Sequence, residues 1–139
     1  MALYFTNDTK NGIRVWVALI WSPGSPCGGG FTTFRKTGWW GVNDGDTVNA
    51  WAVDLTTVNP VGGFFAEQYA GDYRTWGDLG IQYDTPVKRT AFNQCYDDPT
   101  GCDQNSRFAV LAFNTAANMQ IVLRTKVPEE PNWEVSVFD

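Results

Sequence analysis

Apolar and polar residues alternate along most of this chain with a period of two. In the clearest case, isoleucine, valine, leucine or tryptophan occupies every second position from Ile13 to Trp21. Successive side chains of a β-strand point to opposite faces, so this alternation predicts a strand with one apolar face. The same pattern predicts strands at 48–53, 108–113, 119–124 and 133–137.

Turn-forming residues separate these stretches at short intervals. Asn11-Gly12 and Asp44-Gly45 are dipeptides typical of tight hairpins, because they tolerate positive backbone φ angles. No capped amphipathic helix of ten or more residues is evident, and the aromatic residues and flanking glycines of 63–70 favour a strand there. The 139 residues are therefore predicted to form a single all-β domain, an antiparallel β-sandwich of roughly eight to nine short strands, with a barrel as the alternative.

The composition argues against catalysis and against charged partners. The chain has seven tryptophans and no histidine, and so it lacks the side chain that most often transfers protons near neutral pH. Its net charge is −5, and its ten lysines and arginines form no cluster that could neutralise nucleic-acid phosphates or dock on anionic lipid. We therefore expect a protein that is not an enzyme and binds no nucleic acid. The tryptophans would serve the core or a flat ligand-binding surface.

No stretch approaches the roughly 20 consecutive apolar residues that span a bilayer. The first residues also lack the basic region and apolar core of a secretion signal. These features predict no transmembrane segment. They favour either the cytoplasm or release by a route that needs no such signal, and the sequence leaves both open.

Three cysteines, Cys27, Cys95 and Cys102, allow one disulfide and leave one thiol over within a monomer. Cys95 could close a small loop with Cys102 across a polar turn, or it could pair with Cys27 of a glycine- and proline-rich loop. Three cysteines without a histidine lack the usual fourth ligand of structural zinc, so we predict no metal and no cofactor. The acidic loop with Asp97, Asp98, Asp103 and Asn105 could hold calcium, but its spacing does not match an EF-hand, and a solvated turn is the favoured interpretation.

Several short motifs follow one another in an order that resembles the bacterial domain-of-unknown-function 1036 family. The motifs are Asn7-Asp8-Thr9, the strand 14–18, Gly38-Trp39-Trp40, Phe65-Ala66-Glu67 with Tyr69, Trp76-Gly77, and Phe92-Asn93-Gln94-Cys95. The resemblance covers about residues 3–125 and implies a short β-domain with its elements in this order. It implies no activity, since the family has none assigned. The sequence at 43–46 replaces the family's Pro-Gly turn, and the tail after Lys126 has no counterpart.

The adjacent tryptophans of the Gly-Trp-Trp motif are the first candidate binding residues. Neighbouring residues in a strand point to opposite faces, so one of Trp39 and Trp40 should enter the core while the other faces outward. An outward ring could stack on a sugar, with Asn43, Asp44 and Asp46 supplying hydrogen-bonding groups at its rim. Alternatively, one ring is core and the other lies against a flanking loop. Trp16 is similarly either an exposed aromatic or a core residue, depending on whether a second sheet covers it.

The segment 71–84 combines tyrosine, tryptophan, glycine and aspartate in a pattern typical of recognition loops. We predict that it faces a ligand, and that the binding residues are Trp40, Asp72, Tyr73, Trp76 and Asp78. The rings would stack, and the acids would accept hydrogen bonds from hydroxyl groups. Glu67 lies between aromatic residues and could be a buried carboxylate of a catalytic pair, but a structural glutamate is the favoured interpretation.

These observations predict a non-catalytic recognition module that is lectin-like and binds carbohydrate or a cell-surface glycan. Two alternatives come from other classes of function. One is a toxin or defence protein that acts on a target membrane or cell surface. The other is a self-assembling structural subunit, a homo-oligomer in which exposed aromatic residues are buried between copies.

Overall fold

The computed structural model describes residues 2–21, 34–57, 61–68, 74–77, 82–96, 98–113, 116–125 and 133–139. Within these residues the chain forms eleven β-strands and one short 3₁₀ turn, Leu55–Thr57, and no α-helix. The prediction of an all-β protein is therefore confirmed. The strands are β1 Leu3–Asn7, β2 Val15–Trp21, β3 Arg35–Val42, β4 Thr47–Trp51, β5 Val61–Gln68, β6 Arg74–Trp76, β7 Gln82–Val87, β8 Phe92–Cys95, β9 Gln104–Ala112, β10 Asn118–Leu123 and β11 Trp133–Phe138.

A four-stranded sheet has the order β11-β10-β1-β4. Its central pair, β1 and β10, is parallel, with Leu3 opposite Met119 and Asn7 opposite Leu123. The predicted antiparallel arrangement is wrong for this pair. A parallel pair needs a long crossover connection rather than a tight turn, and almost the whole chain lies between these two strands.

The second sheet contains seven strands in the order β7-β9-β5-β2-β3-β8, and β6 also pairs with β5. All its pairs are antiparallel. This sheet curls until it is nearly a barrel. Its two end strands, β7 and β8, approach each other. Oγ1 of Thr85 in β7 donates a 2.9 Å hydrogen bond to the carbonyl of Tyr96, just after β8. Lys36 of β3 reaches across to the Pro86 carbonyl of β7.

Two clusters of buried apolar residues lie on opposite faces of the seven-stranded sheet. The first core lies between the two sheets, where Phe5 of β1 packs on Phe64 of β5 with ring centroids 5.7 Å apart. The second core lies inside the curl and includes Phe65 and Phe108. The strand β2 serves both cores, with Val17 in the first and Ile20 in the second, so both of its faces are covered.

The motif Asn7-Asp8-Thr9 is structural. The buried side chain of Asn7 donates through Nδ2 to the carbonyls of Ile13 and Val42, both at 2.9 Å. Its Oδ1 accepts hydrogen bonds from the backbone N–H of Thr9 at 3.1 Å and from the Thr9 hydroxyl at 2.7 Å. The amide therefore uses both of its donor hydrogens and its acceptor oxygen, and it ties the end of β1 to the segment before β2 and to the end of β3, two strands of the other sheet.

Asp44 is also occupied by the backbone. Its two carboxylate oxygens accept hydrogen bonds from the N–H groups of Lys10, at 3.0 Å, and Gly12, at 2.8 Å. Lys10 has a positive φ angle, which a residue with a Cβ atom disfavours, so the carboxylate stabilises a strained turn. Asp44 was expected at the rim of a tryptophan site, but in the structure it holds this turn.

Candidate ligand-binding groove

A groove lined with aromatic residues lies on the curled sheet. It is lined by Trp16 of β2, Trp39 of β3 and the connection between β7 and β8 at Arg89, Thr90 and Ala91, and its volume is about 490 Å³. Both tryptophan side chains are partly buried, and the three residues of the connection are exposed. The groove thus combines two rigid rings with a polar loop.

The position of Trp39 follows from an irregularity in the pairing of β2 with β3. Trp40 lies opposite Val17, whereas Gly38 lies opposite Ala18, so Trp39 is an extra residue without a partner of its own on β2. Such a bulge re-aims a side chain relative to the regular strand. The bulge therefore directs the Trp39 ring towards the curled side of the sheet.

Contacts on several sides hold the Trp39 ring. It makes edge-to-face contacts with Phe92, at a centroid distance of 5.7 Å, and with Phe65, at 6.0 Å. Its Nε1 donates a 2.9 Å hydrogen bond to the carbonyl of Lys88. The ring is therefore fixed by the second core and by the start of the β7–β8 connection.

Trp40 faces the other side of the sheet. It packs against the first core and lines a crevice of about 60 Å³ that is too small for a sugar. The other residues of this crevice are Leu19, Trp21, Thr37, Ala50 and Trp51. The two tryptophans of the motif do lie on opposite faces, as strand alternation predicts, but the one in the groove is Trp39 and not Trp40.

Trp16 forms the other wall of the groove. The guanidinium carbon of Arg14 lies 5.3 Å from the centroid of its ring, a cation–π distance. Gly41 permits this packing, because a Cβ atom there would lie only 3.0 Å from both the Trp16 ring and Cδ of Arg14. The glycine that follows the two tryptophans therefore makes room for Arg14 and Trp16.

The β7–β8 connection is fixed at its beginning. The Lys88 carbonyl accepts the indole N–H of Trp39, and the backbone N–H of Arg89 donates to Oδ1 of Asp103 at 3.0 Å. Lys88 is thus bonded to β3, and Arg89 is bonded to the residue that precedes β9. The side chain of Arg89 therefore projects from a backbone that is already positioned.

Two of the five predicted site residues, Trp40 and Trp76, are described by the structure, and both pack in the first core rather than in the groove. Trp76 lies in β6, not in a loop; it is 1% exposed and its Nε1 donates to the Arg124 carbonyl at 2.8 Å. A ring so covered offers almost no surface for stacking, because it belongs to the first core. The other predicted residues, Asp72, Tyr73 and Asp78, lie outside the described residues.

Glu67 is fully buried on the curled side of β5, opposite Trp16 of β2. Its Oε1 accepts a hydrogen bond from Nε2 of Gln104 at 3.4 Å, and the same Gln104 nitrogen lies 3.3 Å from the Ser106 hydroxyl. This side chain belongs to a hydrogen-bonded network across β5 and β9. It does not line the groove.

The described acidic residues near the β8–β9 connection stabilise the backbone. Asp98 accepts hydrogen bonds from the side chain and backbone of Thr100, and these hold the pKa of its carboxyl below the ordinary value of 3.8. The described part of the chain contains no group of three or more potential metal-ligating side chains. Asp97, which the calcium alternative also needed, lies outside that part.

Of the three cysteines, Cys95 is in a disulfide and Cys102 is a free thiol. The alternative in which Cys95 pairs with Cys102 is therefore wrong. Cys27 lies outside the described residues.

No protein-family model matches this chain, and no curated protein or solved structure does so either. Among the residues that the structure describes, there is no helix with the length and apolar character needed to cross a membrane. Any function must therefore be argued from the groove itself.

Proposed function

We propose that this protein is a non-catalytic recognition module that binds carbohydrate in the groove between Trp16 and Trp39. The observation that carries this proposal is that two tryptophans from adjacent strands line one groove beside a positioned polar loop. Sugar rings have apolar C–H faces that stack on indole rings, while their hydroxyl groups need hydrogen-bonding partners at the rim. Thr90 and Arg89 provide such partners.

Rigid rings support this function energetically. Trp39 is already held by Phe65, Phe92 and the Lys88 carbonyl, so a ligand that stacks on it orders no additional side chain. Immobilising a free side chain on binding costs about 0.5–1.5 kcal/mol, and a pre-positioned ring avoids that cost.

A glycan array with the labelled protein tests this proposal. We expect binding to a defined sugar in the wild type, and loss of that binding in Trp16→Ala and Trp39→Ala. Trp40→Ala is the matched control, since it removes the same ring from the same motif on the opposite face of the sheet. Circular dichroism must show that each variant is folded. Equal loss in all three folded variants, or no binding by the wild type, would refute the proposed site.

The arrangement of the two sheets supports the description of this domain as a β-sandwich with one strongly curled layer. The first core contains residues of both sheets, including Leu3 and Ile121 of one and Leu19 and Phe64 of the other.

We also propose membership of the domain-of-unknown-function 1036 family, whose motifs have separate roles here. Asn7 ties strand ends together and Trp39 lines the groove.

A specific observation favours self-assembly as a second candidate function. The strand β11 is an edge of the four-stranded sheet, and it carries Val137 and Phe138, which are 47% and 45% exposed. An exposed edge strand with apolar side chains is a template for pairing with another chain. Light scattering over a range of concentrations tests this candidate. A mass that rises with concentration, and falls to that of a monomer in Val137→Lys, would favour it.

A further inference from the structure

The charge around the groove differs from that of the whole chain. The chain has fifteen acidic and ten basic residues, yet none of the described residues that line the groove is acidic, and Arg89 is basic. A second guanidinium, that of Arg14, lies against the Trp16 ring. The aromatic walls of the groove are thus bordered by positive charge in a protein of net charge −5.

These two arginines are not neutralised by ion pairs with described residues. The ion pairs within the described part of the chain join Arg124 to Asp8 and Glu134. Arg14 donates through Nε to the neutral Oδ1 of Asn43 at 2.7 Å. Asp103 accepts the backbone N–H of Arg89 at 3.0 Å.

The backbone of Arg89 is also fixed. Its own N–H is bonded to Asp103, and the preceding carbonyl is bonded to Trp39. A guanidinium that starts from a positioned backbone loses less freedom when it binds. Because guanidinium is planar and presents parallel N–H donors, it matches the two oxygens of a carboxylate.

We infer that the groove takes an acidic saccharide, one whose sugar ring carries a carboxylate. The ring stacks between Trp16 and Trp39, and the carboxylate binds the guanidinium of Arg89. Arg14 lies over the Trp16 ring and adds positive charge at that end of the groove. This inference rests on the proposed carbohydrate-binding function and specifies its class of ligand.

Isothermal titration with three uronic-acid oligomers tests this inference: oligogalacturonate, alginate oligomers and glucuronate-containing heparosan oligomers. Each is paired with its carboxyl-reduced form, which keeps the ring but removes the charge. We expect at least one uronic-acid oligomer to bind about ten-fold or more tightly than its reduced form, because a charge-assisted hydrogen bond is lost. Raising the salt concentration should weaken this preference.

Arg89→Gln should remove the preference for the acidic form, so that the acidic and the carboxyl-reduced forms bind this variant with the same affinity. Arg107→Gln is the matched control, since Arg107 lines a separate cavity, and it should retain the preference. A preference that survives in Arg89→Gln would overturn the assignment of Arg89. Equal binding of acidic and reduced forms would overturn the inference but leave the proposed function standing.

A sulfated galactan provides a second anionic probe. Binding as tight as that of the best uronic-acid oligomer would overturn the assignment of a carboxylate. If neither acidic nor neutral oligosaccharides bind the wild type, both the inference and the proposed carbohydrate function fail.

Discussion

On one side of the seven-stranded sheet, Phe64 and Trp76 pack with Phe5 of the four-stranded sheet in a core of apolar side chains. On the other side, the same sheet curls over Lys36 and Glu67, which are the buried charged residues of the described chain. Both are 0% exposed and lie beside apolar residues of the second core. The groove opens on this curled side.

The difference between the two faces follows from how each is closed. The first core is closed by a second sheet, so the free energy gained by burying apolar surface is sufficient to hold it. The curled face is closed by its own edges, where Lys36 bonds to the Thr85 hydroxyl at 3.3 Å and to the Pro86 carbonyl. Polar groups inside this face must therefore satisfy one another. That requirement makes it the more specific and the more easily perturbed face.

The largest expected effect comes from the first core. Trp76→Ala should lower the free energy of unfolding by about 3–5 kcal/mol, because it leaves a cavity and removes the bond to the Arg124 carbonyl. Denaturant unfolding followed by circular dichroism measures this change. Stability close to that of the wild type would mean that the first core does not depend on this ring.

A smaller loss should follow from breaking the closure of the curled face. Lys36→Met keeps most of the apolar stem but leaves the Pro86 carbonyl without this donor, at a cost of about 1–3 kcal/mol. Hydrogen exchange should show faster exchange in β7 and β8 than in the wild type, with β1 and β10 unchanged. Equally faster hydrogen exchange in both sheets would show that the two faces of the seven-stranded sheet do not unfold independently.

Next in size is a change that reshapes the groove without entering either core. Gly41→Ala places a Cβ atom 3.0 Å from the Trp16 ring and Arg14 Cδ, so both side chains must shift by a few tenths of an ångström. We expect a loss of order 1 kcal/mol in binding free energy, about five-fold in Kd. The unfolding midpoint should scarcely change. Ligand titration measures the effect. An unaltered Kd would show that Trp16 does not contribute to ligand binding.

The smallest expected effect is on the pH dependence of the turn after β8. Hydrogen bonds from the side chain and backbone of Thr100 lower the pKa of Asp98 in the folded protein. A lowered folded pKa stabilises the fold at pH above the ordinary value of 3.8, and this contribution is lost as the pH falls through the folded pKa. Thr100→Ala should bring the pKa of Asp98 back towards 3.8. An NMR titration of its carboxyl carbon would measure this pKa. An unchanged pKa in Thr100→Ala would mean that groups other than the Thr100 hydroxyl lower it.

Parts of this comparison could be predicted from local pattern. The alternation of 13–21 predicted β2, and the aromatic and glycine content of 63–70 predicted a strand where β5 lies. The opposite orientation of Trp39 and Trp40 also followed from strand alternation. Which of the two would line a groove did not follow, because that depends on the bulge in the pairing with β2.

The rest of the candidate site could not be read from neighbouring residues. Trp39 and Lys88 are hydrogen-bonded across 49 positions of the chain, and nothing in the sequence near Arg89 indicates a groove. Trp76 looked like a loop aromatic because of its glycine and aspartate neighbours, whereas pairing with β5 places it in the core.

The sequence by itself determined the all-β class, most of the strands and the faces on which alternating side chains lie, since these depend on a period of two residues along the chain. Tertiary structure alone decided the parallel pairing of β1 with β10, the curl of the larger sheet and the meeting of Trp16, Trp39 and Arg89. These features depend on which distant strands pair and in what register. Pairing is a property of the whole assembled sheet, and no single segment encodes it.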